Sequence, residues 1–320
     1  MRSRHFPTLP VPRIALVTAR AARDLDADLP PLQAALQAAG AIAEVVDWDD
    51  PAVDWRRFDL ALLRSTWDYV GRLAEFLGWA ASAARQTRLA NPLSLVRWNV
   101  DKHYLGELAG AGVPVVPGAF IEPGAEAAGA LAAFLDAGAG QDAAEFVVKP
   151  AVGAGSRDAR RHPRDARAAA AAQAGGLLAQ GRSVLLQPYL ARVDAEGETA
   201  LVYFEGAFSH AVRKGPLLQP GAGATEALFA PEAITARDAS AAERAVAAAA
   251  LAAIPGTATP LYARVDLIRD DAGQPRVLEL ELVEPSLFFD QAPGAAARFA
   301  RHILARAAAA GAPGHPLRKP

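Results

Sequence analysis

The sequence predicts an α/β protein that continues into α+β units, and three observations carry that expectation. Residues 13–63 read as strand, helix, strand, strand, which is how an open α/β sheet begins. From about residue 113 onward, strands and helices follow one another without that regular alternation. Two late strands, at 261–269 and 276–283, alternate apolar and polar residues and are joined by the turn DDAGQP. A chain of 320 residues exceeds one ordinary core and implies two or three domains.

Taken in order, RIALVTA at 13–19 is a compact apolar strand. Asp28 is placed to cap a helix that starts at Pro30–Pro31 and stops at Gly40. Strands at 42–48 and 58–63 and a helix at about 72–86 complete a first domain, 1–95. A second unit, 96–190, begins with a helix from about Val96 to Ala109 and an extended Val113–Val116 bounded by prolines. It continues with a helix near 125–137, the strand EFVVKP, a glycine-rich loop, a basic stretch RDARRH, a helix at 164–180 and the strand SVLLQPYL. The third unit, 191–312, holds strands at 198–205 and 207–213, a helix at 239–253, the late strand pair and a helix at 295–309. Residues 313–320 read as a disordered tail.

Bulk properties remove several function classes. Hydrophobic residues make up 52% and charged residues 21%, a globular composition. The formal charge, 33 − 35 = −2, gives no pull toward nucleic acid or an anionic membrane. Without cysteine there are no disulfides, no thiolate catalysis and no Cys-bound zinc. No apolar run approaches the roughly 20 residues that span a bilayer, and Ile14–Val17 is too short for a signal-peptide core. The expected compartment is the cytoplasm.

The late strands carry the chemistry. In VLELELV, Leu278, Leu280 and Leu282 are expected to face the core, with Glu279 and Glu281 about 7 Å apart on the other face. In LYARVDLI, Arg264 and Asp266 share a face. If the strands pair, three carboxylates meet on one sheet face and repel unless a cation joins them. Oxygen ligands without His or Cys suit Mg²⁺, with Mn²⁺ as the alternative. A solvated edge hairpin would show the same alternation.

Lys149 ends a Val-rich strand just before the loop AVGAGS, where Gly153, Gly155 and Ser156 let backbone N–H groups approach phosphate oxygens. The Walker pattern GxxxxGK[ST] is absent, and an ordinary turn reads the same way. Lys102, read as helical in NVDKHY, has the appearance of a solvated side chain. Gln187, Pro188 and Tyr189 follow an apolar strand, where backbone groups can meet a flat base. Arg213 and Lys214 are phosphate ligands or surface charges, and Glu198 is a ribose or substrate ligand or a solvated strand start. RSTWDY follows the strand FDLALL, at the end where open α/β sheets bind ligands. There Arg64 can grip a carboxylate, Ser65, Thr66 and Asp68 can position an amine or amide, and Trp67 and Tyr69 can wall a pocket. A capped loop around a buried Trp is the plainer account.

The order of these pieces resembles the ATP-grasp superfamily from about Ile14 to Ala309. LRSTWDY, KPAVGAGSRD, GETALVYFEGAFSHAVRK and LELELVEPSLFF are similar to a glutathione-synthetase-like branch that includes the cyclo-ligase acting on O-ureido-serine in cycloserine biosynthesis. The resemblance implies an ATP-grasp fold behind an N-terminal open α/β domain, with ATP between two α+β subdomains. By resemblance, Lys102 and Lys149 with Gly153, Gly155 and Ser156 would contact phosphates. Gln187, Pro188 and Tyr189 would form the adenine hinge, with Glu198 also in the ATP site. Asp266, Glu279 and Glu281 would hold two Mg²⁺ ions; the last position is often Asn in the family. Arg264, Lys149 and Lys214 would be catalytic, and Arg64, Ser65, Thr66, Asp68, Arg213 and Ser286 would meet the substrate.

The implied activity is a carboxylate–amine ligase working through an acylphosphate on a small amino-acid-like substrate. No protein nucleophile is needed. A kinase on the same scaffold and a nucleotide-binding module without catalysis are the competing readings. No nucleic-acid or membrane partner is expected, and a homodimer is compatible with the sequence.

Overall fold

The computed structural model describes residues 11–219, 221 and 232–310. The expected tail, 313–320, lies outside the described residues. Among them no helix is long and apolar enough to cross a membrane.

The chain opens as expected. Strand β1 (Arg13–Thr18), helix α1 (Leu29–Ala38), β2 (Ile42–Asp47), β3 (Leu60–Ser65), α2 (Leu73–Ala83) and a two-residue β4 (Leu89–Ala90) form one layer system. Its sheet is parallel in the order β2-β1-β3-β4. Parallel strands carry apolar side chains on both faces, and both faces of β1 and β3 are buried here. Asp28 occupies the first cap position of α1, but its side chain makes no cap bond. The carboxylate instead accepts three backbone N–H groups from Leu287, Phe288 and Phe289.

The expected helix at 96–109 is two helices, α3 (Leu93–Asn99) and α4 (Tyr104–Gly110). Asp101 Oδ1 takes the His103 N–H at 3.1 Å and makes a local turn that competes with the helix. Next come β5 (Ala119–Ile121), α5 (Ala127–Ala137), β6 (Glu145–Pro150), β7 (Arg160–Pro163), α6 (Arg167–Ala179) and β8 (Val184–Pro188). These strands form an antiparallel sheet in the order β5-β8-β6-β7, with α5 and α6 packed on it. The basic stretch is therefore partly a strand: Arg161 is buried against Glu145 and Asp194 while paired opposite Val147.

The remaining elements are α7 (Arg192–Glu196), β9 (Glu198–Phe204), β10 (Ala207–Lys214), β11 (Ile234–Arg237), α8 (Ala241–Ala252), β12 (Tyr262–Arg269), β13 (Pro275–Glu281) and α9 (Ala295–Ala310). Their antiparallel sheet runs β11-β10-β9-β12-β13, over a core shared with α4 and α8. Ser240 and Glu243 form a capping box at the start of α8. Helix α9 returns to the N-terminal sheet, where Phe299 stacks on Phe204 at 4.4 Å and shares a core with Leu32 and Leu36 of α1.

Strand β13 is an edge strand, and an open edge leaves unpaired backbone groups. Side chains fill that need. Asn99 donates to Leu280 O and accepts from Leu282 N, both at 2.7 Å. Tyr104 Oη accepts from Leu280 N, and Asn91 Nδ2 donates to Leu282 O. Val277 exchanges backbone bonds with Pro114 and Val116.

Candidate active site

The hairpin forms in the expected register. Asp266 stands opposite Glu279 and Arg264 opposite Glu281. One part of the alternation differs. The ladder shifts after Asp266, so that Leu267 pairs with Val277 and Leu278 is skipped. A bulge re-aims the extra residue. Leu278 accordingly lines the cleft, while Val277, Leu280 and Leu282 enter the core.

The three carboxylates are separated by cations. Glu279 takes a hydrogen bond from Lys149 Nζ at 3.0 Å, with Lys102 Nζ at 3.7 Å. Asp266 is held by Arg264 Nε and Nη2 at 2.8 Å each and by Lys214 Nζ at 3.1 Å. Arg264 also donates to Glu281. Lys214 pairs further with Glu198 at 3.0 Å and Glu232 at 3.7 Å. Among the described residues, no three His, Asp or Glu side chains stand together as a ready ligand set.

The charges follow from this geometry. Burial opposes ionisation of Glu279, yet Lys102 and Lys149 hold its carboxyl down at about 2. Burial also opposes ionisation of Asp266, and Arg264 and Lys214 outweigh it. Glu281 is pushed up to about 8 by burial, with Asp266 and Glu279 adding to the rise against the pull of Arg264. Burial lowers the Lys149 ammonium despite Glu279.

Lys102 is not the solvated helical lysine that the sequence suggested. It lies in the turn between α3 and α4 and is buried. Its backbone N–H donates to Ala151 O at 3.0 Å and its Nζ to Gly153 O at 2.9 Å. The turn is thereby tied to the glycine-rich loop. Gly153, Gly155 and Ser156 all line the cleft, and Gly155 and Ser156 have φ of 60° and 58°. Glycine reaches that region without a Cβ clash.

At the other end Gln187, Pro188 and Tyr189 line the cleft beside Leu190, Val193, Ile268 and Leu278. Gln187 itself is turned inward, its Nε2 donating to Val116 O at 3.2 Å. The apolar side chains form a small cluster suited to one face of a flat ring.

The RSTWDY segment divides. Trp67 and Tyr69 line the cleft, as expected for its walls. Arg64 is fully buried behind them, between Asp26 at 3.7 Å and Asp28 at 3.5 Å. Ser65 Oγ bonds Thr18 Oγ1 at 2.7 Å, and Thr66 is buried. Asp68 accepts from Trp48 Nε1 and Arg72 on the far side of the loop. Arg64 and Ser65 are the last residues of β3, where neighbours alternate, and from Trp67 a 3₁₀ turn over Trp67–Gly71 sets the side-chain directions instead. Arg213 likewise turns away and caps α7, donating to Glu196 O at 2.7 Å and Ala195 O at 3.1 Å. Ser286 does line the cleft, and its carbonyl accepts from Arg264 Nη1 at 3.1 Å.

Sequence reasoning missed Glu232, Glu284 and Phe288, which line the same cleft, and the three clamps Asn91, Asn99 and Tyr104. Glu284 carried a signal: a lone carboxylate between the apolar end of a strand and a proline.

Comparison with known proteins agrees with this architecture. Residues 14–91 match the family described as D-cycloserine synthetase DcsG, N-terminal domain. The chain is 44% identical over 297 residues to the cycloserine biosynthesis protein DcsG of Streptomyces lavendulae, covering 92% of this chain and 98% of that protein. The crystal structure of D-cycloserine synthetase DcsG superposes with a TM-score of 0.87 at 43% identity, over 92% of this chain and 99% of that one. D-alanine–D-alanine ligase from Bacillus anthracis gives 0.66 at 14% identity, over 94% and 98% of the two chains. The ATP-grasp ligase PsnB gives 0.63 at 16%, over 93% and 100%. The fold is that of the ATP-grasp ligases, and the protein is an enzyme of that class. Within it, the chain belongs to the family of the cycloserine biosynthesis protein DcsG.

Proposed function

We propose that this protein uses ATP and Mg²⁺ to activate a substrate carboxylate and to join it to a nitrogen. As in the cycloserine-forming relative, the bond would close a ring, with O-ureido-serine as the substrate to test first. The observation that carries the proposal is the cleft itself. A glycine-rich loop, two lysines on Glu279, and an arginine and a lysine on Asp266 all face one space.

Lys102, Lys149 and the backbone of Gly153, Gly155 and Ser156 would hold the phosphates. Gln187, Pro188 and Tyr189, with Ile268 and Leu278, would flank the adenine, and Glu198 would reach the ribose. The donors fit magnesium: Asp266, Glu279 and Glu281 offer hard oxygens from two neighbouring strands, the chain has no Cys, and among the described residues no His lines the cleft. Those three would hold two ions, with Mn²⁺ an acceptable substitute. The bound metal supplies positive charge against the oxygens of the transferring phosphoryl group.

The carboxylate oxygen of the substrate attacks the γ-phosphorus. The bond to the β-phosphate oxygen breaks and ADP leaves. Arg264, fixed to Asp266 and Ser286, would offset the charge that develops. The substrate nitrogen then attacks the acylphosphate carbon, and phosphate departs with the electron pair of the C–O bond. Trp67, Tyr69, Ser286 and Phe288 line the cleft, the last two in contact with Arg264, and would shield the acylphosphate from water.

ADP release with Mg²⁺ and O-ureido-serine, followed by mass spectrometry, tests this. A ring product formed in step with ADP is expected. ADP release that no amino acid or ureido compound stimulates would refute the ligase reading. A phosphorylated product without a new C–N bond would identify a kinase.

A further inference from the structure

Among the described residues six carboxylates line the cleft, and five are tied to cations: Glu198, Glu232 and Asp266 to Lys214, Glu279 to Lys149, and Glu281 to Arg264. Glu284 is the exception, with no ion pair among the described residues. It is not loosely held. Trp67 Nε1 donates to the Glu284 carbonyl at 3.0 Å, and Tyr69 Oη donates to the side-chain Oε1 at 2.8 Å. Both clamps come from the segment after β3, so the N-terminal sheet sets where this carboxyl stands. The second oxygen, Oε2, accepts from no described residue.

Its position relative to the reacting groups is informative. Glu284 lines the cleft with Trp67 and Tyr69, which bond it, and with Ser286 and Phe288, which touch Arg264. The Phe288 ring lies 5.4 Å from the Arg264 guanidinium. An attacking nitrogen must lose a proton as its bond to the acyl carbon forms. A carboxylate already neutralised by lysine or arginine is a poor acceptor for it, whereas a hydrogen-bonded but unpaired one is a good acceptor.

We propose that Glu284 is the proton acceptor for the attacking nitrogen. This rests on the ligase reading above. As the N–C bond forms, Oε2 takes the N–H proton, and phosphate leaves with the electrons of the C–O bond. The proton then returns to solvent. The titratable and charged groups near this carboxyl are Tyr69, Lys102, Arg264, Glu279 and the buried Tyr262. Burial raises it to about 7, against the downward pull of the Tyr69 hydrogen bond and the two cations. A base that titrates near neutrality combines availability with proton affinity.

The test separates the two half-reactions of the full-length enzyme, with O-ureido-serine as the probe. Hydroxylamine, a strong nucleophile that is unprotonated near neutral pH, traps an acylphosphate as a hydroxamate and gives its N–H proton to solvent or buffer, so the trap needs no base from the protein. Glu284→Gln is expected to keep trapped hydroxamate within about threefold of wild type while ring closure falls about 10²-fold or more. The wild-type rate of ring closure should fall as pH drops below about 7, and Glu284→Gln should abolish that limb. Tyr69→Phe removes a bond that favours the carboxylate, so it should move the limb to higher pH. Equal losses in both half-reactions would make Glu284 merely structural and overturn the proposal. A raised KM with unchanged kcat and pH profile would make it an ammonium anchor and also overturn it. Wild-type protein that forms no ADP overturns the ligase reading and this role together.

Discussion

Glu284→Gln should make the metal-free protein more stable at alkaline pH, by an amount the structure allows one to work out. The carboxyl titrates at 4.5 when unfolded and at about 7 in the folded chain, because burial penalises its charge. A raised folded value means that the group costs nothing below about pH 4.5, where both states are protonated. The penalty grows as pH rises toward 7 and is constant above it. The ceiling is about 2.5 units at ~1.36 kcal/mol each, or roughly 3 kcal/mol. Glu284 lines an open cleft, so solvent screening reduces this to ~1–2 kcal/mol. Gln carries no such penalty, and its side-chain oxygen still accepts from Tyr69. Urea unfolding in a chelator without nucleotide, from about pH 5.5 to pH 8.5, measures the difference. The gap between variant and wild type should widen with pH and level off above about 7. A gap that stays flat would show that the carboxyl ionises as in water and would refute the burial argument.

Three further outcomes follow from particular contacts. Asn99→Ala strips two hydrogen bonds from the edge of β13, leaves Leu280 O and Leu282 N wanting, and should cost ~2–4 kcal/mol in urea unfolding; a loss under ~0.5 kcal/mol would deny the clamp. Glu279→Gln should lower turnover by about 10²-fold or more with circular dichroism unchanged, and near-normal ADP release would sink the metal assignment. Asp28→Asn removes the charge that gathers three N–H groups of residues 287–289 and faces Arg64. It should cost ~2–4 kcal/mol and raise the substrate KM through Ser286 and Phe288; a KM unchanged at reduced stability would limit Asp28 to folding.

What was legible in the sequence depended on range. The pairing of Asp266 with Glu279 was readable because two alternating strands and a short turn leave little freedom of register. The skipped Leu278 was not, since a bulge places a leucine in a polar face without marking the local pattern. Lys102 was misread because its partners, Ala151 and Gly153, lie about fifty residues away and convert a helix into a turn. Asp28 has the residue type and place of a helix cap, yet residues 287–289 claim it from across the chain. Arg64 suits a carboxylate grip by type, but the strand's alternation sends it behind Trp67 and Tyr69, beside Asp26 and Asp28. For Lys102 and Asp28 the deciding contacts are distant in sequence, whereas for Leu278 and Arg64 they lie in the detailed geometry of the strand itself.

The same contacts explain how a cleft so dense in charge can fold before any ligand arrives. Three carboxylates on one hairpin would repel, and four buried or half-buried cations would resist burial if isolated. Each set neutralises the other: Lys102 and Lys149 on Glu279, Arg264 between Asp266 and Glu281, Lys214 among Glu198, Glu232 and Asp266. On the proposed reading, nucleotide and metal would exchange partners rather than create them. Lys102 and Lys149 would turn to the phosphates, and the carboxylates they release would be the ones to hold magnesium, leaving neither set of charges uncompensated. Such an exchange accounts for the acid at Glu281, which already shares Arg264 with Asp266 and is the least satisfied of the three. It also leaves Glu284 outside the exchange. Glu284 makes no ion pair among the described residues for phosphate or metal to displace, so it would stay free to take the proton of the substrate nitrogen.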